Sequence, residues 1–517
     1  MNFHSTNQRD RETSTSKMNL VIFACVTIII TLLLRIYFKT KYKRFYKLIE
    51  QFPSHPTSPL IGNLKASYAT VKDFRRNVMD LMKSHDRLIF WIGPIPILLL
   101  KRADDVSFIL SQCDNREMHE LGKQWAGVGV LTGSYEEWKK SRKLILPAFS
   151  AKMLSKYVET FITKSSNLVD RFKPMADTGE VVNISDHALT INIETMLENV
   201  LDVSPEEAGK AGEEFGHLTA KVFEFIIDRM LKPWLYPHCF YNLYLKLTGK
   251  MKLVEAFHYL PTKMLKERTA EFKARKEQSD FVDSPKTIIN LIISENQRED
   301  TRFNEERLKG ELLQMIAAGF ETSSLSLSTI LLMLALHQDA QEKVYEEILR
   351  DLQGETKITA HHVMNKFKYL EQCFRETVRM YSPIVLTLRQ TYKEHVLRDN
   401  TIIPSGLCVV PLIHLAQRDG DLYENPDKWD PDHYSDEAIL KRPKGKETAF
   451  GNGVRYCLGS KYVTFSIKSQ VAHVILNYRL TSNIKELKPE DLRMDFSIRS
   501  AIGYPIIFHS RQKTAQM

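Results

Sequence analysis

A stretch near the C-terminal end of the chain carries residue types that can hold an iron atom through sulfur. Phe450, Gly453, Arg455, Cys457 and Gly459 stand at F-x-x-G-x-R-x-C-x-G spacing. A thiolate ligand needs a tightly folded backbone, and glycine adopts φ values that a Cβ forbids. The apolar run after Cys457 predicts a helix, whose N-terminal N–H groups and dipole stabilise negative sulfur. Such a thiolate pushes electron density onto a haem iron and favours O–O cleavage.

The side chains around the cysteine suit the same chemistry. Phe450 can shield the sulfur from water, and Arg455 can form a fork with a haem propionate. The alternative is a buried cysteine in a glycine-rich turn. The five matched positions argue against that alternative. At uniform residue usage, one such match in a chain of this length has a probability on the order of 10⁻⁴. The stretch resembles the haem-binding loop of the cytochrome P450 superfamily. The resemblance implies that Phe450, Arg455, Cys457 and Gly459 contact the cofactor and that Cys457 binds its iron.

A second stretch lies in the longest helical pattern of the chain, at 304–337, and suits oxygen activation. Ala318 and Gly319 would leave room for dioxygen and substrate over the haem, and Glu321 and Thr322 could relay protons. Glycine inside a helix costs roughly 1 kcal/mol relative to alanine, so it usually marks a close approach. The alternative is a surface glutamate and a threonine that bonds back to its own helix. With the cysteine loop downstream, the stretch resembles the family's A-G-x-[DE]-T motif.

Ala318 departs from one branch of that family. Many family-four members carry a glutamate at the matching position, where it forms an ester with the haem. Alanine has no carboxylate to do this. The sequence therefore predicts haem b that is held without a covalent link.

Other candidate cofactor contacts lie on both sides of the long helix. Trp138 and Arg142 stand four residues apart and share one helix face, although an amphipathic surface helix has the same pattern. Beside the cysteine loop, they resemble the family's W-x-x-x-R pair, which contacts a haem propionate. Arg389, in a predicted strand at 384–389, resembles the second propionate arginine. The wider run at 125–149 resembles the microsomal family-four branch, for which insect members are the expectation.

A possible core-locking motif precedes the cysteine loop. Glu376 and Arg379 have the i,i+3 spacing of an ion pair, which is a weak signal alone. Their position resembles the family's buried E-x-x-R, to which an arginine from a P-E-R-F-like stretch is normally added. Here His433 replaces that arginine. Because imidazole is shorter and donates fewer hydrogen bonds than guanidinium, we expect weaker haem retention or stability.

Composition limits the class of protein. The net charge of +9 is spread along the 517 residues without the dense basic tracts of a nucleic-acid binder, so a membrane surface or an acidic protein partner fits better. Lys139, Lys140 and Lys143 would suit an acidic electron donor, or simply form a solvated face. The six cysteines form no C-x-x-C pair, which gives no sign of a zinc site or a disulfide framework and favours a reducing compartment.

The N-terminal region predicts membrane attachment. Residues 1–17 are polar and predict a disordered luminal segment, and the apolar run at 18–38 has the length of one membrane span. A cleaved signal peptide is the alternative, but a basic run at 39–44 follows instead of a small-residue cleavage site. The positive-inside rule then places the later part of the chain in the cytosol. We divide that part into a basic, proline-rich hinge at 39–63 and a catalytic domain at 64–517.

A proline-broken apolar segment at 232–237 resembles the family-four sequence before a loop that dips into the membrane, with plain loop packing as the alternative. The resemblance extends over residues from about 50 to 510. It implies a fold that is mainly α with a small β region (α+β), attached to the endoplasmic reticulum membrane by a single span.

The implied reaction is monooxygenation of an apolar substrate, a fatty acid or similar lipid or a xenobiotic. The substrate class comes from analogy alone. Electrons would come from NADPH through a cytochrome P450 reductase, with cytochrome b5 as a second candidate donor. Two alternatives stay open. One is a haem-thiolate isomerase or dehydratase that needs no reductase, although such relatives tend to lack the Glu321–Thr322 pair. The other is a non-catalytic haem-binding protein, which a product formed with reductase would exclude.

Overall fold

The computed structural model describes residues 40–58, 62–63, 78–114, 117–277, 287–298, 302–494 and 497–511, and five single residues between 26 and 37. The disordered segment predicted at 1–17 lies outside the described residues, as does most of the span predicted at 18–38. In that span, the described residues Val26, Ile29, Leu33, Ile36 and Tyr37 are helical and exposed.

Helices form most of the described chain, as the sequence predicted. They are α1 Lys43–Ile49, α2 Ala103–Gln112, α3 Lys123–Ala126, α4 Tyr135–Ile145, α5 Ala151–Phe172, α6 Ile184–Met196, α7 Pro205–Met230, α8 His238–Leu247, α9 Met251–Lys276, α10 Ile288–Glu295, α11 Glu305–Leu336, α12 Gln338–Leu352, α13 Ala360–Asn365, α14 Lys368–Met380, α15 Ile413–Ala416, α16 Asp436–Lys441 and α17 Ser460–Asn477.

The strands form small sheets at the edge of this helical body. They are β1 Arg87–Ile92, β2 Ile95–Leu100, β3 Val182–Asn183, β4 Arg389–Gln390, β5 His395–Val396, β6 Ile402–Ile403, β7 Cys408–Pro411, β8 Tyr478–Thr481, β9 Leu492–Met494, β10 Ile498–Ser500 and β11 Pro505–Ser510. The largest sheet has the order β1-β2-β7-β4, and a second has the order β3-β11-β8. Two antiparallel pairs, β5–β6 and β9–β10, complete the described strands.

The run of apolar residues in β2 reflects burial on both faces of the largest sheet. Leu98 and Leu100 pack into one apolar cluster with Val409, whereas Ile97 and Leu99 pack into another on the opposite face. Strands that are buried on both faces lose the usual alternation of apolar and polar residues. The apolar runs at 88–92 and 97–100 predict strands, and β1 and β2 confirm this prediction.

Helix α11 is the central element of the main core. Asn304 caps it, since the Arg307 backbone N–H donates to the Asn304 side-chain oxygen over 2.9 Å, and acidic Glu305 and Glu306 occupy its first turn. Among the described helices, α11 alone is long and apolar enough to cross a bilayer. However, 78% of its most apolar stretch is buried inside the protein, which is the environment of a core helix.

Hydroxyl groups bond back along the middle of α11. The side chains of Thr322, Ser324, Ser328 and Thr329 each donate to the carbonyl oxygen four residues earlier, over 2.7–2.8 Å. Serine and threonine in apolar surroundings commonly satisfy their hydroxyls in this way, and the extra bond tends to bend a helix.

Two local predictions differ in outcome. Ser204, Pro205 and Glu207 predict a helix start, with a capping serine, a proline at the first helical position and an acid that completes a capping box. This prediction is confirmed, because α7 begins at Pro205 and the Glu207 N–H donates to the Ser204 hydroxyl over 3.2 Å. The strand predicted over 384–389 is wrong in extent, because β4 begins only at Arg389. The preceding chain bonds irregularly instead: the His414 N–H donates to the Val385 carbonyl oxygen over 3.1 Å.

Candidate active site

The cysteine loop is a tight turn that packs against helix α2. The Cys457 N–H donates to the Phe450 carbonyl oxygen over 2.9 Å. Gly451 and Gly453 have φ values of +81° and +66°, which side chains with a Cβ rarely adopt. A Cβ on Gly453 would lie 2.8 Å from the Leu110 carbonyl oxygen. The turn therefore needs glycine both for its conformation and for its contact with α2.

The Cys457 sulfur lies beside the start of α17, as the sequence predicted. Gly459 is the N-terminal cap of that helix, and a Cβ built on Gly459 would lie 3.9 Å from the sulfur. Phe450 is partly buried and packs at an angle against Phe374, with 6.4 Å between the ring centroids. The loop thus holds the sulfur at a helix N-terminus, while the Phe450 ring packs against α14.

Trp138 brings two arginines to the same place. The Arg455 guanidinium carbon lies 3.9 Å from the centroid of the buried Trp138 ring, and that of Arg142 lies 5.8 Å from it. Burial lowers the pKa of Arg142, and the negative charge of the nearby Cys457 sulfur opposes that shift. The two cation–π contacts of Trp138 therefore lie close to the Cys457 sulfur, and they join α4 to the cysteine loop.

Helix α4 is oriented by its first turn. A capping box joins Ser134 and Glu137: the Ser134 N–H donates to the Glu137 carboxylate over 2.7 Å, and the Glu137 N–H donates to the Ser134 hydroxyl over 3.4 Å. Arg307 of α11 donates to the Glu137 carbonyl oxygen over 3.0 Å. The capping box fixes where α4 begins, and Arg307 ties this helix to the central one.

Arg389 and Arg455 converge on the end of helix α2. The Arg455 Nε donates to the carbonyl oxygen of Asp114 over 2.8 Å. Burial raises the pKa of the neighbouring Cys113 thiol to about 11, and the positive charge of Arg389 partly offsets that effect. Arg389 is buried and donates to the Thr387 hydroxyl over 2.9 Å. Arg389 and Arg455 thus both lie near the end of α2, and Arg455 shares the Trp138 ring with Arg142.

This donor set fits a haem group. A cysteine at a helix N-terminus supplies the soft anionic ligand that haem iron takes in oxygen-activating proteins. Guanidinium groups are suited to bidentate pairing with the two propionates. The glycines keep the turn before Cys457 tight, and a larger side chain at Gly453 would push it away from α2.

Helix α11 presents a partly accessible stripe in the middle of an otherwise buried stretch. Between Leu312 and Ala335, the partly buried residues are Met315, Ala318, Gly319, Thr322 and Leu325. Their spacing of three or four residues places them on one side of the helix. The predicted oxygen-activation residues Ala318, Gly319 and Thr322 therefore share a single surface, which is small and mostly apolar.

The two polar residues of this motif have different partners. Glu321 is buried, so the surface alternative does not hold for it, and it forms an ion pair with Arg499. The Ser497 hydroxyl also donates to the Glu321 carboxylate, over 3.3 Å. The Thr322 hydroxyl donates to the Ala318 carbonyl oxygen over 2.7 Å, as the alternative interpretation of the motif expected.

Gly319 makes room for a neighbouring helix. A Cβ on Gly319 would lie 2.5 Å from the Met196 methyl carbon at the end of α6. The close approach that an interior glycine predicts is therefore observed, and the group that approaches is a flexible methionine side chain. The predicted role of Gly319 in leaving space for dioxygen stays a prediction.

The Glu376–Arg379 ion pair is fully buried, and its polar groups have hydrogen-bond partners in the surrounding chain. Arg379 donates through Nε and Nη2 to the two carboxylate oxygens of Glu376, over 2.7 and 2.8 Å. Its Nη1 donates to the carbonyl oxygens of Gln417 and Pro426. Satisfying these remaining donors is what makes a buried pair tolerable.

His433 occupies the third place of this cluster. Its Nδ1 lies 3.1 Å from a Glu376 oxygen, and its Nε2 lies 2.6 Å from the Glu424 carbonyl oxygen. The hydrogen bond to Glu376 raises the pKa of His433, against the effect of burial. The imidazole thus reaches Glu376 and bonds through both nitrogens, although it carries a full charge only when protonated.

The sequence analysis missed the residues that hold Glu321. Arg499 and Ser497 lie on and next to strand β10, 178 and 176 positions from Glu321. No spacing rule connects residues so far apart. The one available signal was the tail at 496–508, whose pattern predicts a final strand pair near the pocket and which carries the charged residue Arg499.

Comparisons with known proteins give the family of the chain. A family model described as Cytochrome P450 matches residues 53–503. Cytochrome P450 4c21 of Blattella germanica is 23% identical over 483 residues, covering 91% of this chain and 95% of that protein. Cytochrome P450 4V2 of Homo sapiens is 21% identical over 477 residues, covering 89% and 90%. The predicted likeness to family four, including insect members, is confirmed.

The fold is matched by a solved structure. A crystal structure of the cytochrome P450DA heme domain has a TM-score of 0.74 at 18% identity, covering 90% of this chain and 99% of that one. This likeness confirms the predicted mainly helical fold with its small β region.

Proposed function

The chain belongs to the cytochrome P450 family, and from that premise we propose that it oxygenates an apolar small molecule with electrons that a separate NADPH-dependent reductase supplies. Its class is that of a haem-thiolate monooxygenase. We propose in addition its substrate class, its redox partner and its location in the cell.

When bound, haem supplies the redox chemistry that activates dioxygen, and the chain supplies the ligand and the surroundings. Cys457 is the proposed axial ligand. Arg142, Arg389 and Arg455 are the proposed partners of the propionates, with Trp138 packed against Arg455. Phe450 is proposed to shield the Cys457 sulfur from water.

One observation carries this proposal: Trp138, Arg142 and Arg455 converge beside the Cys457 sulfur from two distant segments of the chain. A structural cysteine in a turn needs no cluster of cations. A thiolate that binds iron beside two propionates does need one.

The pair Glu321–Thr322 favours oxygenation over isomerisation. A carboxylate and a hydroxyl next to the small residues Ala318 and Gly319 can move protons towards the accessible stripe of α11. An isomerase or dehydratase has no need of such a pair. Both residues are in place on α11, which supports the monooxygenase.

The accessible stripe favours an apolar substrate. Met315, Ala318 and Leu325 give it an apolar surface, and Thr322 is its one hydroxyl-bearing member among the described residues. Burying apolar surface would provide most of the binding free energy, at roughly 25 cal/mol per Å². We therefore propose a fatty acid, a similar lipid or a xenobiotic as the substrate class.

Exposed groups support the proposed partner. Lys139 and Lys140 are exposed on α4, the helix that carries Trp138 and Arg142. They offer a positive surface close to the sulfur side, which complements an acidic reductase or cytochrome b5. This supports a docking site for the donor next to the proposed thiolate.

A second surface supports membrane contact. We define the α8 patch as Trp234, Phe240, Leu243 and Leu247, which are 54–78% exposed. Phe240, Leu243 and Leu247 share one side of α8. A patch of this kind usually marks an interaction site. Together with the proposed anchor at 18–38, it supports attachment to the endoplasmic reticulum membrane with the catalytic domain in the cytosol.

The test starts with purified full-length protein. We expect the dithionite-reduced, carbon monoxide-treated sample to show the red-shifted absorption of a sulfur-bound carbonyl complex, and Cys457→Ser to lose it. We then expect NADPH and a cytochrome P450 reductase to be required for product from lauric acid or from a panel of lipids and insecticide-like compounds. Product without reductase would favour the isomerase. Haem binding without product from any compound would favour a non-catalytic role.

A further inference from the structure

One methionine of α6 fills the notch that Gly319 makes in α11. A Cβ built on Gly319 would lie 2.5 Å from the Met196 methyl carbon and 2.8 Å from its sulfur. The thioether end of the Met196 side chain therefore lies directly over the Gly319 backbone. Met196 is buried, with 4% of its surface exposed. The space that glycine leaves in the middle of α11 is thus occupied by a side chain of the protein itself.

Met196 meets α11 at the edge of its accessible stripe. Successive residues of an α-helix are turned by about 100°, so Met315 and Thr322 lie only about 40° and 60° to one side of Gly319. Gly319, Met315 and Thr322 are all partly accessible. The methyl group of Met196 consequently borders the surface on which the proposed substrate would lie.

Helix α6 changes its winding directly after Met196. The next five residues, Leu197–Leu201, form a π-helical turn, and Asp202 then ends the helix with a φ of +59°. Such turns are rare and are found frequently at functional sites. Met196 is therefore the last α-helical residue before an unusual turn, and its side chain points at the oxygen-activation motif.

Buried polar contacts hold α6 and the π-helical turn against α17. Gln470 Nε2 donates to Asn192 Oδ1 over 3.3 Å, and Asn199 Nδ2 donates to the Tyr462 hydroxyl over 2.9 Å. All four of these side chains are buried. The two contacts lie before and after Met196 in the sequence. They fix the backbone on both sides of Met196, so the freedom that remains at this place is that of its side chain.

Methionine suits a wall that must adapt to what lies against it. Its side chain is unbranched, has three rotatable bonds and ends in a polarisable thioether. Only the end of the Met196 side chain occupies the notch, because its Cγ lies 3.8 Å from the Cβ built on Gly319 whereas its methyl carbon lies 2.5 Å away. Rotation about the last bonds therefore opens the notch without a shift of α6.

We propose that Met196 is a specificity-determining residue, whose thioether end forms the wall of the substrate site beside Gly319 and limits the width of the molecules that fit next to Thr322. Narrow molecules leave the side chain in the notch, and wider molecules displace it. This inference deepens the proposed function and rests on it, because it sets a limit within the proposed substrate class.

The test measures the binding of two azoles, which coordinate a haem iron and shift its absorption without NADPH, reductase or product. Purified full-length protein with its haem is titrated with imidazole as the narrow probe and 1-phenylimidazole as the wide one. Met196→Ala shortens the wall, and Met196→Phe thickens it. Met153→Ala is the matched control, because Met153 of α5 is also 4% exposed.

We expect Met196→Ala to raise the preference for 1-phenylimidazole over imidazole about tenfold, and Met196→Phe to lower it about tenfold. Changes of one methylene in an apolar pocket have effects of this order. Met153→Ala should match the wild type. An equal change in affinity for both azoles would mean that Met196 only supports the fold and would overturn the proposal, as would an unchanged preference in both Met196 variants.

A double-mutant cycle tests the contact itself. Gly319→Ala places a methyl group where the thioether lies, so it should push the Met196 side chain into the site and lower the preference for 1-phenylimidazole. In the Met196→Ala background, the same change should have little effect on this preference, because the displaced group is gone. Equal effects of Gly319→Ala in the two backgrounds contradict the proposed contact.

Methyl NMR observes the side chain without a change in the size of the site. In protein with ¹³C-labelled methionine methyl groups, the Met196 signal is identified by its loss in Met196→Leu. Compared with the imidazole complex, the 1-phenylimidazole complex should shift the Met196 signal and leave that of Met153 in place. A Met196 signal that is the same in both complexes overturns the inference. A wild-type protein that forms no product contradicts the proposed function instead, while the azole and NMR results still decide the role of Met196.

Discussion

The imidazole of His433 lies 3.1 Å, from Nδ1 to Oε1, from the buried carboxylate of Glu376. A group that titrates near neutral pH therefore takes part in the cluster that closes the core behind the cysteine loop. The sequence predicted weaker haem retention or stability from this replacement, which stays a prediction. The structure shows that both imidazole nitrogens are engaged.

This contact predicts a pH dependence of stability. The hydrogen bond to Glu376 raises the pKa of His433 above its ordinary value of about 6.5. The folded chain then holds the proton more tightly than the unfolded chain. The stabilisation is complete below about pH 6.5 and is lost as the pH rises through the raised pKa. Thermal unfolding of the wild type should show this decline, and that of His433→Gln should lack it.

His433→Arg should separate charge from shape. Guanidinium stays charged throughout this range, so we expect its unfolding temperature to exceed that of the wild type most clearly above neutral pH. Haem occupancy should rise in parallel. An unchanged unfolding temperature and occupancy would mean that histidine already serves this cluster as well as arginine.

Ala318 predicts how haem is held. Alanine has no group that can form an ester, so acid–organic extraction should release all the haem from the polypeptide. Ala318→Glu is the informative variant, because it places a carboxylate on the accessible stripe of α11. We expect part of its haem to stay with the protein after turnover. Haem that resists extraction from the wild type would contradict this prediction.

The Trp138 ring should contribute to cofactor affinity. Loss of a partly desolvated cation–π contact costs about 1–2 kcal/mol, which corresponds to roughly 5- to 30-fold in affinity. We expect Trp138→Ala to release haem faster to apomyoglobin by that factor, and Trp138→Phe to be intermediate. Trp234→Ala changes an exposed tryptophan of the α8 patch and should leave the rate unchanged. Equal rates in all variants would exclude a role for the contact with Arg455.

The α8 patch should enter the bilayer. Cys239 is exposed on α8 and next to Phe240, so an environment-sensitive fluorophore attached there reports on burial. In nanodiscs of neutral phospholipid, its emission should shift to the blue. Leu243→Asp with Leu247→Asp should abolish most of the shift, because each leucine contributes about 1.5–3 kcal/mol when buried. Leu440→Asp, an exposed leucine on α16, is the control.

Motifs whose residues are close in sequence were predictable. Cys457 with its glycines, Trp138 with Arg142, and Ser204 with Pro205 lie within one turn or one helix, where spacing fixes geometry. These features depend on local conformation, which the sequence specifies directly.

Relations between distant segments were not predictable. Glu321 meets Arg499 only because the chain returns to α11 after many other elements. The strand predicted over 384–389 failed for a related reason. Its residues are apolar enough for a strand, but their backbone bonds to the last residue of β7, Pro411, and to His414 of α15 instead of to a full partner strand.

The hydroxyls that bond back within α11 have a mechanical consequence. The carbonyl oxygens of Ala318, Phe320 and Ser324 each receive a side-chain hydroxyl in addition to their place in the helix. A carbonyl oxygen that accepts two hydrogen bonds holds the backbone amide less firmly. The middle of α11 therefore bends more easily than its capped first turn. The flexibility of α11 is thus greatest beside its accessible stripe, so the proposed substrate site can adapt to molecules of different width while the ends of the helix stay fixed.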